Sequence, residues 1–361
     1  MKMNKTIFAI DLGNKAAKLI REGAEPISIP SRYIESTYVD GSNKFDFTAK
    51  IFMENVDVKK YKMVNQSNSY YFGKGINELG KDEYVRESFG VGKQRYEGEK
   101  FQNMLSFSIC ELASTFDEQI VEVDLVLGLP SEDYTEHNTK AILNYALGQH
   151  SVEIDGNTVN VDVKVVHLIP QPIGTFYNQL FNNEGEPINH EWIKQKTAIV
   201  DIGGLTKLFD QLQNFKMEET EREQKETGMW TLYSMISDLL VCDSSVKPNK
   251  YQIENVVRKG IESKEGRFIF YPNTHGNVVD MTEAVLKAIN LYTEQTIDEV
   301  KNIFMHFTSI DNLIFTGGGS KILNRDLIEK AFDNVRIIYS EDGEFANVNG
   351  FYKYGMTQRR E

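Results

Sequence analysis

The sequence predicts an α/β protein of two related domains with a cleft between them. Three observations predict it. Thr6–Ile10 is a short apolar run, the pattern of a buried strand, and leads straight into Asp11-Leu12-Gly13-Asn14-Lys15-Ala16-Ala17-Lys18. Thr197–Val200 leads in the same way into Asp201-Ile202-Gly203-Gly204-Leu205-Thr206-Lys207. A third run, Asn312–Phe315, ends in Thr316-Gly317-Gly318-Gly319-Ser320. The glycines permit tight turns and close backbone approach to a ligand. Strand, Asp-x-Gly turn and hairpin strand recur in both halves, which marks an internal pseudo-repeat and not a solenoid.

The remaining elements follow from local pattern. Ala17–Arg21 is the hairpin partner of the opening strand, and Ile27–Ile29 is a third short strand before Pro30-Ser31-Arg32 interrupts. Residues 33–96 are polar, with short β-like pieces such as Tyr70-Tyr71-Phe72 and no long helical period, and read as an inserted subdomain. Phe101–Phe116 has apolar residues at helical spacing. Asp124–Pro130 is a continuous apolar run, the signature of a strand buried on both faces. Thr135–Gly148 reads as a helix, and Asp155-Gly156 as the turn of a hairpin. Val163–Tyr177 passes from strand through Pro170-Gln171-Pro172 into a helix, and 183–196 is a polar connector. In the second half, Lys207–Leu212 is a hairpin strand and 216–227 is a charged stretch. Helices are expected at Met229–Cys242, Gln252–Glu262 and Thr282–Phe307, with a closing helix around Gly350–Gly355.

Composition bounds the class. With 361 residues, 40% hydrophobic and 11% aromatic, the chain has material for two or three packed domains and is not generally disordered. A formal net charge of −13 argues against a broad electrostatic footprint for nucleic acid. Cys110 and Cys242 are the only cysteines, which excludes a disulfide framework or a cysteine-rich zinc site. Met1–Thr6 leads into a strand without a secretory leader's apolar core, and no stretch has the apolar length of a membrane span. A cytoplasmic protein is expected, with neither a membrane nor nucleic acid as a direct partner.

Asp11 and Asp201 each end a buried strand, a poor place for a carboxylate without a partner. Read as a pair, they face one magnesium ion, mostly through its water shell. Magnesium dehydrates reluctantly and takes its other ligands from phosphate oxygens. Gly13, Asn14, Gly203 and Gly204 offer backbone N–H groups to phosphates, and Lys15 or Lys18 supplies a point charge. The sequence does not fix which way Lys18 faces. Either Asp-x-Gly turn alone is more simply a hairpin turn; two in matching context favour phosphate binding. Gln171, at a rigid Pro-Gln-Pro corner, can orient a water for attack on a γ-phosphate, although a helix-capping amide is the plainer reading. Three glycines at 317–319 let the backbone lie against a ribose or base. The six histidines show no metal-binding spacing and read as structural. No Ser/His/Asp arrangement stands out for acyl transfer.

These residues resemble the actin, heat-shock chaperone and sugar-kinase superfamily, whose pattern is two phosphate turns, a connecting segment between them and an adenosine turn. Here the pattern falls on Asp11–Lys18, Pro170–Tyr177, Asp201–Thr206 and Thr316–Gly319. Within it the chain is most similar to ParM-type bacterial plasmid-segregation actins, through Asp11-Leu-Gly-Asn14, Ile29-Pro-Ser-Arg32, Gly128-Leu-Pro130, Pro170-Gln-Pro-Ile-Gly174, Asp201-Ile-Gly-Gly204 and Thr316-Gly-Gly-Gly319. The resemblance implies a two-domain actin-like fold, each domain a ribonuclease-H-like mixed sheet flanked by helices, with nucleotide in the cleft. Residues 1–190 would form domain I with its insertion at 33–96, 191–345 domain II, and 346–361 a helix returning to domain I. The resemblance implies ATP, with GTP left open, and Mg2+ faced by Asp11 and Asp201. Gly13, Asn14, Gly203, Gly204 and Thr206 match phosphate contacts, Thr316 and Gly317–Gly319 the nucleoside turn, and Gln171 the catalytic Gln or Glu. Lys15 and Leu205 depart from the pattern, where many relatives have smaller or more polar residues.

The function implied is a filament-forming ATPase that segregates or positions plasmid DNA. Its partners would be copies of itself and a DNA-binding adaptor protein on a centromere-like site. The alternative is a small-molecule kinase of the same superfamily. A kinase needs a carboxylate base for the acceptor hydroxyl, and no Asp stands near Gln171 in sequence.

Overall fold

Three apolar runs end in the glycine turns, and each is a strand with a parallel neighbour. The computed structural model describes residues 5–40, 53–87, 95–242, 246–263, 265–272, 278–304 and 309–360. The chain divides into two units, Met1–Asn189 with Asn347–Glu361, and His190–Ala346.

The first unit holds β1 (Thr6–Leu12), β2 (Ala16–Arg21), β3 (Ile27–Pro30), β4 (Arg32–Glu35), β5 (Lys59–Met63), β6 (Ser69–Phe72), β7 (Val85–Glu87), β8 (Val121–Leu129), β9 (Gly148–Ile154) and β10 (Asn157–Pro170). They hydrogen-bond in the order β3-β2-β1-β8-β10-β9-β5-β6-β4-β7. β1, β8 and β10 run parallel, while β2 returns antiparallel from β1. From Leu125 to Leu129 β8 is apolar because that stretch is covered on both faces. One face packs with Phe101, Met104, Leu105 and Phe107 of helix Glu99–Ala113. On the other, Phe351 of the closing helix Ala346–Arg360 lies over Gly128, and Gly355 packs on Ile7 and Val126. Asp155 and Gly156 take φ of 48° and 86°, the left-handed pair that closes the β9–β10 hairpin. The helix expected over Thr135–Gly148 spans Glu136–Ala146, capped by the Thr135 hydroxyl; Gly148 already belongs to β9.

The segment read as an insertion continues the main sheet. β5 pairs antiparallel with β9, Tyr61 opposite Ile154, so the open edge of the β9–β10 hairpin is covered by β5. Its outer part has a small core of Ile34, Val39, Val56, Ile76 and Leu79. Residues 41–52 and 88–94 of that segment lie outside the described residues.

The second unit holds β11 (Thr197–Ile202), β12 (Lys207–Gln213), β13 (Lys216–Met217), β14 (Glu223–Lys225), β15 (Ile269–Phe270), β16 (Val279–Asp280), β17 (Asn312–Thr316) and β18 (Arg336–Tyr339). The main sheet runs β13-β12-β11-β17-β18, with β14 also on β12. β11, β17 and β18 are parallel and β12 returns antiparallel from β11, which repeats the arrangement of β1, β2 and β8. Helices Met229–Leu239, Lys250–Glu262 and Thr282–Ile303 supply Leu232, Ile236, Ile253, Val257, Val285 and Val300 to its core. The charged stretch 216–227 carries β13 and β14, and the polar connector includes a short turn of helix that buries Trp192. The helix expected to reach Phe307 ends at Ile303, and 305–308 lie outside the described residues. Among the described residues no helix is long and apolar enough to cross a membrane.

Candidate functional site

The first turn is built at the carboxyl ends of β1 and β10, where ligands gather in open α/β sheets. Asp11 is buried at the end of β1. Its Oδ1 accepts a hydrogen bond from Gln171 Nε2 at 2.7 Å, and its Oδ2 lies 3.5 Å from Lys18 Nζ. Lys18 gets there by register: it stands directly across from Asp11 in the β1–β2 hairpin. Gln171 gets there because β10 stops at Pro170 and a helix, Gln171–Leu180, starts at once with Pro172 in its first turn. Asp11 and Lys18 of one hairpin and Gln171, 160 residues beyond Asp11, form one polar group. Gly13 is beside it, since a Cβ there would stand 3.2 Å from Lys18 Nζ.

Asn14 and Lys15 complete the turn and are half-buried. Two braces on this loop were not legible in the sequence. Ser31 Oγ donates to Gly13 O at 2.6 Å, and Ser31 N to Lys15 O at 3.0 Å. Arg95 Nη2 donates to Leu12 O at 3.0 Å while its Nη1 lies 4.0 Å from Asp133 Oδ2. The only available signal was Ser31 and Arg32 following the hairpin; nothing local marks Arg95.

The second and third turns lie side by side at the ends of the parallel pair β11 and β17, with Asp201 opposite Thr316. Gly203 N donates to Thr206 O at 2.9 Å and closes the second turn. Gly317 has φ +81°, and a Cβ on it would stand 2.3 Å from Asp201 Oδ1, so only glycine fits here. Gly319 packs on Ile202 and Met229. The third turn is pinned by Gly317 N to Gly343 O at 3.0 Å and by Ser320 Oγ to Gly317 O at 2.8 Å. After it the chain makes a tight helical turn at Gly318–Ile322 and then a helix at Arg325–Ala331. Beside Gly318 lies Glu344, whose Oε2 is 3.9 Å from Arg258 Nη1; Arg258 Nη2 also lies 3.1 Å from Glu254 Oε1. Burial and the Glu254 charge raise the Tyr233 hydroxyl pKa above its ordinary value. Glu254, Arg258 and Glu344 had no motif to announce them.

The first group belongs to one unit and the other two turns to the second. Glycine turns, the half-buried lysines Lys15 and Lys18 and oxygen-only acids are groups of the kind that handle polyphosphate. Among the described residues no group of three or more His, Cys, Asp or Glu side chains forms a protein-built metal cage. A single carboxylate at the end of each strand suits magnesium, which takes most of its ligands from water and phosphate.

The fold and these turns define an actin-like protein. The model of the actin like proteins N terminal domain matches residues 9–174, and that of the Alp7A C-terminal domain matches residues 196–342. The chain belongs to the actin-like protein family. Among solved structures it is similar to the apo psk41 ParM protein, at 23% identity and a TM-score of 0.76, covering 99% of this chain and 98% of that one. It is similar to Bacillus thuringiensis ParM with ATP at 16% identity and a TM-score of 0.73, covering 99% and 100%. The Alp12 filament structure is similar at 15% identity and a TM-score of 0.65, again covering 99% and 100%. No curated protein matches the chain in sequence.

Proposed function

We propose that the chain is a nucleotide-dependent ATPase that assembles into filaments and moves or positions plasmid DNA through a separate adaptor protein. The observation that carries this reading is the Asp11–Gln171–Lys18 group at the first turn. Because the Gln171 amide donates to Asp11, its Oε1 is left as an acceptor that can orient a water. Lys18 offers a point charge to phosphate, and Gly13, Asn14, Gly203, Gly204 and Thr206 offer hydrogen-bond donors. Lys15 is the second candidate cation at the first turn. Thr316 and Gly317–Gly319 would take the nucleoside. Asp11 and Asp201 would hold magnesium through its water shell. When bound, the ion supplies neutralisation of phosphate charge.

Hydrolysis by a positioned water needs no carboxylate base. The carboxylate that the fold brings to Gln171, Asp11, is engaged by the Gln171 amide and by Lys18, which leaves an amide oxygen as the acceptor there. That favours an ATPase over the small-molecule kinase. The ParM structure with ATP supports ATP over GTP as the nucleotide, and the Alp12 filament supports self-association. A net charge of −13 favours indirect contact with DNA, through a basic adaptor on a centromere-like site in the cytoplasm. The segment 33–96 is the proposed filament contact, with the stacked pair Tyr38 and Tyr84 exposed on it. The test is sedimentation of an Asp201→Ala variant. Loss of nucleotide-dependent pelleting is expected, and equal pelleting of the unsubstituted chain without nucleotide would contradict the mechanism.

A further inference from the structure

The second turn is followed at once by a buried charge that this chemistry does not use. Lys207 opens β12 directly across from Ile202, so its side chain leaves the sheet on the face opposite Asp201. There it is fully buried, with Nζ 2.8 Å from Glu299 Oε2 and 2.7 Å from Thr296 Oγ1, and 4.0 Å from the centre of the Tyr292 ring. Burial lowers the amine's pKa from its usual value and the Glu299 carboxylate opposes that shift. Apolar residues of matching volume often replace a buried ion pair without loss, so stability alone is a weak reason for this one.

Glu299 reaches further than Lys207. Its Oε1 accepts from Thr227 Oγ1 at 3.0 Å, and the Tyr292 hydroxyl donates to Thr227 O at 2.8 Å. Thr227 is therefore held by both side chain and backbone. The next three residues all donate to the phosphate turn: Gly228 N to Leu205 O at 3.0 Å, Met229 N to Gly203 O at 3.0 Å, and Trp230 N to Gly204 O at 2.9 Å. Gly228 sits so close to the turn that a Cβ on it would stand 2.5 Å from the Leu205 carbonyl carbon. In a trans peptide the C=O and the next N–H point in opposite directions. Engaging the carbonyls of Gly203, Gly204 and Leu205 thus turns the N–H groups of Gly204, Leu205 and Thr206 away from residues 228–230.

We propose that the buried Lys207–Glu299 pair positions the second phosphate turn. Acting through Thr227, it fixes residues 228–230, and these aim the three N–H groups at a triphosphate. The ligand in this inference rests on the nucleotide reading above; the bracing does not.

Thr227→Val tests it, because the change keeps volume and leaves the Lys207–Glu299 pair intact. Thr227→Ser keeps the hydroxyl and serves as the rescue. Amide hydrogen exchange of peptides spanning 203–207 is measured without nucleotide, and affinities for ATP and adenosine are measured where all variants are folded. In Thr227→Val the turn amides should exchange faster and ATP should bind about tenfold more weakly. Adenosine affinity should hold, and Thr227→Ser should match the unsubstituted chain. Unchanged turn exchange in folded Thr227→Val overturns the proposal. So does faster exchange spread evenly over the unit, or equal loss of ATP and adenosine binding, either of which marks a merely structural pair. If the unsubstituted chain binds no ATP while turn exchange still responds selectively, the bracing stands and the nucleotide reading falls.

Discussion

The hairpins at Asp11 and Asp201 share a topology but send a lysine to opposite faces. In the first, Lys18 stands across from Asp11; in the second, Leu208 stands across from Asp201 and the lysine falls one position earlier, across from Ile202. Side chains alternate along a strand, so one step in register carries an ammonium from the turn into the core. Lys18 keeps 21% side-chain exposure near a carboxylate 3.5 Å away, whereas Lys207 is sealed against Glu299 at 2.8 Å. On the proposed reading, one lysine meets a ligand and the other holds the loop that meets it. A charge in a repeated motif therefore has to be read together with its register.

The largest effect that can break this comparison is expected from Lys207→Met alone. It leaves Glu299 buried without its cation and should cost about 3–5 kcal/mol in urea unfolding. Lys207→Met with Glu299→Leu should recover most of that loss, because no uncompensated charge remains. Failure of the double variant to recover would mean that the pair is a stability element first. Gly317→Ala comes next, at about 1–3 kcal/mol, because the left-handed φ is strained for alanine and the added Cβ meets Asp201. A thermal melt unchanged from that of the original chain would contradict it.

The comparison also extends to pH. Burial lowers the pKa of His150, which accepts a 2.9 Å bond from the Ser106 hydroxyl when neutral, and burial lowers that of His167 as well. Both lie in the first unit. Neither affects stability while neutral in both states. As pH falls below the ordinary value of 6.5, the unfolded chain takes up protons that the native unit refuses. Stability should then fall by up to about 1.4 kcal/mol per pH unit for each histidine. Urea midpoints of the first unit that stay flat between about pH 7.5 and 5.5 would contradict this. The smallest stability effect is expected from Lys18→Ala, within about 1 kcal/mol, since its ion pair is long and partly exposed. ATP affinity should nevertheless drop in that variant, which calorimetry would detect.

Much of this architecture was legible from local pattern. The strands before each turn, the β9–β10 hairpin at Asp155-Gly156 and the Gln171 corner all rest on short-range rules of burial, left-handed turns and proline geometry. What escaped depends on long-range register. The sequence could not say that β5 would pair with β9, because several short polar strands fit that edge equally well. It left the facing of Lys18 open and gave no hint that Lys207 would be buried, since a one-residue slip reverses both. Arg95 reaches Leu12 O from 83 residues away, and no pattern near either residue records it.

The central claim, a nucleotide cycle coupled to assembly, is tested most directly by light scattering of the purified chain with ATP and magnesium, with phosphate release followed in the same sample. Scattering should rise on adding nucleotide and decay as phosphate appears, and Gln171→Ala should assemble but decay more slowly. Flat scattering with nucleotide bound, or equal scattering without any nucleotide, would contradict the account.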